Sequence, residues 1–498
     1  MSLIVQGPAW SLPGLDVVSA RYPLRVETHV LRLVAKLLPG VITTTPHARA
    51  YALHGLVWSE AERRGLDLDA ACELLRRCEV VVAGVSLRHR HAVQLGAPHG
   101  GDVVQKGIDT HGHLAVAELS AIGRYSQAKS GFGGVYAGSE SALGILDNGR
   151  PPTPGPRLDK ARVQAALGGV FSLAERDVVS VPELDAAGDL CICMAPSAPD
   201  GPWLQRLFLQ PGLDREAATD GDRFAAGDAA RRATARLVAA VVAPGVNESL
   251  VAAFRRAVGT GDFTQTDPVA GGLSITPAWR GVVLRNYSVG AWRRAWSWLV
   301  GALAEPMTTA ELGERFAAAL PDITVGELVA GLPPTVQDGV LVPVEEALRA
   351  DHPSPDPLTE VRLLAVGARR LEDLDRSALA AFAGHPAEDD LGPRWVARQL
   401  EASSHLPLHR FAAELVDRLV RRSQRVAYSK MALQADGRPK LPARLGERDG
   451  RLFQISPEGW ADVSLRIDTF ASVLLGLGAV GRVDEQWSLT PAGAELLG

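Results

Sequence analysis

Apolar residues recur at helical spacing along most of the chain. Val30, Leu33, Val34 and Leu37 fall at i, i+3, i+4 and i+7, and Pro39-Gly40 stops the helix they predict. A Thr43-Thr44-Thr45-Pro46 entry opens a second helix over residues 47–64, and the period continues to about Leu146. Residues 159–257 are Ala-rich and helical, with loops around 185–201 and 220–227. Two proline-rich stretches break the pattern. Residues 148–156 hold four prolines and two glycines, so neither a helix nor a central strand continues through them. Residues 351–357 carry three alternate prolines, which favour an extended linker.

Between these breaks, Thr308-x-x-Glu311 and Thr324-x-x-Glu327 each read as a capping box opening a short helix. A long helix ending near Leu303 precedes them and a strand over residues 339–344 follows, which is the order of a winged-helix module. The C-terminus repeats that order: a helix over 466–477 ending at Gly478, a strand over 479–483, a turn over 484–486 and a strand over 487–489. Thr490 then caps a last helix that starts at Pro491. The expected fold is mainly α, a multidomain helical protein with central and C-terminal winged-helix modules. Its predicted parts are an N-terminal helical domain (1–147), a Pro/Gly linker (148–158) and an Ala-rich helical domain (159–274). A winged-helix-like module (275–350), a Pro linker (351–358), a helical segment with a basic face (359–435) and a C-terminal winged helix (436–498) follow.

Composition narrows the class. The 498 residues, 46% hydrophobic and 22% charged, suffice for a large core and exclude a disordered or fibrous chain. No apolar run approaches the roughly 20 residues that span a bilayer, and residues 1–14 lack the basic-then-apolar layout of a secretion signal. These features predict a soluble, cytoplasmic protein with no membrane partner. Cys72, Cys78, Cys191 and Cys193 form no disulfide framework, and the Cys191-x-Cys193 pair lacks a second pair to complete a zinc site, so all four read as reduced thiols.

A net charge of −5 excludes a protein that coats polyanions with its whole surface. Locally the balance reverses: residues 410–451 contain eleven Lys or Arg against five acids, a local excess of +6. Arg418, Arg421, Arg422 and Arg425 share one helical face, where guanidinium forks would track a phosphate backbone. Lys430, Lys440, Arg444 and Arg448 extend the candidate nucleic-acid-binding set. A solvated face, or a module that contacts only protein, would tolerate the same stripe. A second basic stretch interleaves Arg280, Arg285, Arg293 and Arg294 with Trp279, Tyr287, Trp292, Trp296 and Trp298. It suits stacking on single-stranded bases, although Trp292 and Trp296 at i, i+4 have core-facing spacing.

The histidines offer a metal alternative. His89-x-His91 and His111-x-His113 are two HxH pairs, with imidazoles that point to one side of an extended segment. Over seven residues, Gly107 to His113 resembles the first metal-binding strand of the amidohydrolases. That resemblance implies an α/β barrel supplying further ligands, yet only His352, His385, His405 and His409 follow, without strand-helix alternation. No GxxxxGK[ST], GxSxG or HExxH occurs, and Gly131-Phe-Gly-Gly134 lacks the third glycine of a dinucleotide fingerprint. Residues 130–138 read as a tight turn between closely packed helices. No catalytic residue and no cofactor is assigned.

Leu37-Leu-Pro-Gly-Val-Ile-Thr-Thr-Thr-Pro-His-Ala-Arg-Ala-Tyr51, followed by Trp58, resembles the opening of a bacterial protein family with a PGxxxxTxRARYxxxxxW pattern, associated with antiphage defence loci. The family's SGFxGxY…LG segment, about 80 residues on, corresponds to Ser130–Gly144. The match covers about 120 residues. His47 replaces the first Arg of RAR, leaving Arg49 alone where a pair would contact phosphate. The resemblance implies a defence role beside other subunits such as a helicase or nuclease. The resulting expectation is a non-enzymatic DNA-binding subunit of a prokaryotic antiphage defence complex. The alternatives are a protein-protein assembly scaffold using the winged modules, and a metal-dependent hydrolase using His89, His91, His111 and His113.

Overall fold

The computed structural model describes residues 4–5, 15–89, 94–210, 223–385, 391–434 and 437–498. Helix accounts for 59% of the chain, about twice the usual share, and no described strand exceeds four residues, so the fold is mainly α. No helix among the described residues is long and apolar enough to cross a membrane.

The chain gathers into two compact units, each assembled from separated stretches. One comprises Met1–Leu33, Arg255–Thr266 and Thr276–Val463; the other comprises Val34–Phe254, Asp267–Ile275 and Ser464–Gly498. The two proline-rich stretches lie inside units. Strands Leu146–Asp147 and Thr153–Pro154 pair across residues 148–152 within the second unit. In the first unit the helix Val344–Asp351 ends where the second stretch begins, and Asp356 caps the next helix, Pro357–Asp373, by accepting from the Thr359 amide at 2.8 Å. Residues 436–498 divide after Val463.

The first unit is built on the helix Thr276–Ala302, whose Trp279, Trp292 and Trp296 are almost fully buried. Gly281 lets the helix Arg376–Ala383 approach, since a Cβ there would overlap the Ala378 carbonyl. Arg294, 2% exposed, donates to Glu360 at 2.9 Å and to Asp462 at 2.8 Å. The Arg/Trp stretch is therefore largely core, with Trp279, Trp292 and Trp296 closed to an external base. Both capping boxes form, opening the helices Thr309–Ala317 and Val325–Ala330. The expected strand over 339–344 shrinks to Val340–Leu341, paired with Val336–Gln337, because Val344 already starts the next helix. A four-stranded sheet runs Ile4–Val5, Leu15–Val18, Pro439–Pro442, Ala432–Leu433, with the middle pair parallel. Ala432–Leu433 is an edge strand.

The second unit centres on the helices Ala48–Arg64 and Leu68–Arg88. Gly65, at φ +63°, ends the first, and Asp67 caps the second by accepting from the Ala70 amide at 2.8 Å. Leu68–Arg88 buries fourteen of its 21 residues, Arg76, Glu79 and Ser86 among them, so it is a helix covered on most sides. The C-terminal run forms as helix Ile467–Gly476, strands Val480–Val483 and Gln486–Leu489, and helix Pro491–Leu497. The turn is shorter than expected. Asp484 and Glu485, both at positive φ, make a two-residue turn of the kind that matches strand twist, and Gln486 pairs with Val483. The Trp487 amide donates to the Val246 carbonyl at 2.8 Å, so this hairpin is tied along its outer edge.

Candidate functional site

The arginine stripe lies on the first unit's helix Leu408–Ser429. Phe411, Leu415, Val416, Leu419, Val420 and Val426 bury one face, and the opposite face carries Arg410, Arg418, Arg421 and Arg425 in solvent. Eight of the eleven basic side chains between residues 410 and 451 are exposed. Exposure is not uniform across the candidate set, however. Arg422 Nε donates to the Leu24 carbonyl at 2.6 Å, Lys430 donates to the carbonyls of Arg21 and Tyr22, and Arg444 pairs with Glu458 at 2.7 Å while donating to Ser19 and Ser456. Those three hold residues 19–24 and the 456–458 loop, so their side chains are engaged within the unit. Their neighbours remain: Arg418 sits 4.9 Å over the Trp395 ring, Arg421 pairs with Asp417 at 3.0 Å, and Lys440 and Arg448 are exposed.

A hairpin stands beside this face. Strands Leu445–Arg448 and Arg451–Gln454 meet at Asp449-Gly450, both at positive φ, and Gln424 of the basic helix donates to Glu447 at 2.8 Å. Arg448 is at its tip, and Arg451 donates to the Pro306 carbonyl at 3.1 Å. Tyr428, 65% exposed, continues the arginine stripe at the helix C-terminus.

Among the described residues, His89 stands in no common ligand group with His111 and His113. Gly107–His111 is the end of the helix Gly101–His111, not a strand, so the likeness to the amidohydrolases does not extend to conformation. His111 is exposed, 3.9 Å from Glu118, and its ring lies 5.7 Å from that of His113. His91 lies outside the described residues. His89 instead meets the CxC pair: its Nδ1 is 3.0 Å from Cys193 Sγ, and the ligand atoms of His89, Cys191 and Cys193 all lie within 4.8 Å of one another. Cys193 donates to Cys191 and draws the Cys191 thiol below its usual range, while Cys193 is pushed up.

The two family-like segments converge elsewhere in the same unit. Tyr51 donates to the Gly40 carbonyl at 2.9 Å and packs edge-on against Tyr136, with ring centroids 4.8 Å apart. His54 bridges two buried carboxylates, Nδ1 to Glu140 at 2.6 Å and Nε2 to Glu79 at 3.1 Å. Glu79 also accepts from the Phe132 amide at 3.1 Å and from the Tyr125 hydroxyl. Gly131, at φ +58°, permits this, since a side chain there would overlap Glu79 and Tyr125. Burial penalises the His54 imidazolium, but Glu140 and Glu79 outweigh that cost and hold its pKa at about 10. Burial lowers His47 and His99 to about 4. His47, His54, Glu79, His99 and Phe132 line a cavity of about 40 Å³, room for about one water. The arrangement is an internal ion cluster that ties helices Ala48–Arg64, Leu68–Arg88 and Gly133–Leu143 together.

Arg49 is likewise internal. Only 2% exposed, it donates to Asp200 at 3.0 Å and to the Cys191 carbonyl at 2.7 Å, so it is closed to phosphate. Sequence patterning missed Glu79 and Glu140 because each is a single acid on an apolar helix face; the Ser130-Gly131-Phe132 turn was the available signal. It missed the His89–Cys193 contact because 104 residues separate the partners. No family model, no curated protein and no solved structure matches this chain.

Proposed function

We propose that the protein is a non-enzymatic nucleic-acid-binding subunit that grips phosphates along the outer face of Leu408–Ser429. One observation carries the reading: Arg418, Arg421 and Arg425 stand in solvent on one face of a well-anchored amphipathic helix, on a molecule that is acidic as a whole. Arg418 and Arg425 are about 10 Å apart along the axis at 1.5 Å per residue. Lys440 and Arg448 supplement them, the latter at the tip of the 445–454 hairpin. Exposed Tyr428 gives a base a ring to stack on. The resemblance to antiphage defence proteins supplies the context, a DNA-handling complex with a helicase or nuclease partner.

A second reading, an assembly scaffold, is favoured by a different observation. Met431 is 50% exposed and Leu433, on the edge strand, 77% exposed. An unpaired edge with apolar side chains is a place where another chain adds a strand. A low-salt gel shift with duplex and single-stranded DNA separates the two. Binding that is lost in Arg418→Gln/Arg425→Gln supports the nucleic-acid reading; no shift on either substrate leaves the scaffold. Among the described residues His89, His111 and His113 form no common ligand group, which gives hydrolysis by two HxH pairs no support.

A further inference from the structure

We propose that His89, Cys191 and Cys193 form a zinc site in the second unit, a role independent of the nucleic-acid reading. The three are the only group of this kind among the described residues, and their donor atoms lie within 4.8 Å of one another. A tetrahedral zinc with Zn–S about 2.3 Å and Zn–N about 2.0–2.1 Å needs donors roughly 3.5–3.8 Å apart. The 3.0 Å Nδ1–Sγ separation lies within about 1 Å of that requirement.

The frame around the donors is fixed by groups that are not ligands. The His89 amide closes the end of Leu68–Arg88 on the Val85 carbonyl at 3.1 Å, which sets the ring's origin. Ser86, one turn earlier, accepts from the Ile192 amide at 3.2 Å, between the two cysteines. Arg49 holds the carbonyls of Asp189 and Cys191, and its ion pair with fully buried Asp200 fixes the guanidinium itself. Helix end and CxC loop are therefore locked to each other by bonds outside the donor set, as second-shell partners hold a metal site. A Cys191–Cys193 disulfide would need no imidazole, whereas a soft d10 cation uses two thiolates and a neutral imidazole together. Binding releases one proton from each thiol, and two thiolates neutralise the ion's two charges. His89 and Cys193 are half-buried, and Cys191 is buried.

The test is metal analysis of the full-length protein, purified reduced and reconstituted with zinc. About one zinc per chain is expected, falling at least tenfold in Cys191→Ser/Cys193→Ser and in His89→Ala but retained in Cys72→Ser. Cobalt should give thiolate-to-metal charge-transfer absorption that the double cysteine variant lacks. Should the cysteine variants fail to fold, thiol titration of the wild type serves instead: a chelator should expose two further reactive thiols. Substoichiometric zinc after reconstitution, zinc retained in both His89→Ala and the double cysteine variant, or a Cys191–Cys193 disulfide in place of metal would overturn the proposal.

Discussion

Buried charges organise both units. An ion removed from water is costly unless it is paired and fully hydrogen-bonded, so each such group marks a position where one substitution is expensive. Arg49 and Asp200, 2% and 0% exposed, are one instance. Arg49→Met leaves Asp200 unpaired and is expected to cost about 3–5 kcal/mol in chemical denaturation. Arg49→Met/Asp200→Leu should recover much of that loss. His54 gives a pH signature. Its folded pKa of about 10 lies above the ordinary value near 6.5, so the folded state binds the proton more tightly. Its stabilisation is complete below about pH 6.5 and is lost as pH rises through about 10. Melting temperature measured across that window should fall more steeply for the wild type than for His54→Gln; equal slopes would remove His54 from the account. Little of this was legible beforehand. The exposed members of the arginine stripe follow from helical spacing, but Arg422 and Lys430 look identical to them in sequence. What separates them is the 21–24 segment, about 400 residues distant, whose carbonyls they hold.

At the scale of elements, local signals performed well where the chemistry itself is local. Thr308 and Thr324 each accept from the backbone of the glutamate three residues on, and each glutamate returns to the threonine amide at 2.6 and 2.7 Å. Thr308→Ala should therefore cost about 1 kcal/mol, with faster amide exchange over Thr309–Ala317. An unchanged exchange rate would mean that the cap is redundant. Gly131 is a second element-scale test: Gly131→Ala combines a positive φ with an overlap on Glu79, so a drop of more than 1 kcal/mol is expected by thermal or denaturant unfolding. The strand that the amidohydrolase likeness of Gly107–His113 implies is absent at Gly107–His111, where the chain continues as a helix until Gly112 ends it at φ +69°, and only His113–Leu114 is a strand. The strand expected over 339–344 is cut short, since Pro343 and the start of a helix at Val344 leave room for only two strand residues.

At the scale of the whole molecule, neither unit is contiguous in sequence, and no compositional boundary announces that. The parallel pairing of Leu15–Val18 with Pro439–Pro442 brings stretches more than 400 residues apart into one sheet, and the C-terminal helix and hairpin belong with residues 34–254. Proline-rich stretches mark turns inside these units. Charge reversal is legible at this scale: a molecule of net −5 carries exposed cations on one helix face. The most direct test is the slope of log K against log salt for a short duplex, by fluorescence anisotropy, in the wild type and in Arg418→Gln/Arg421→Gln/Arg425→Gln. With about five phosphates neutralised, the wild-type slope should be about −4 to −5, and the triple variant's shallower by about 2–3. A wild-type slope near zero, or one that the three substitutions leave unchanged, would contradict the phosphate grip on Leu408–Ser429.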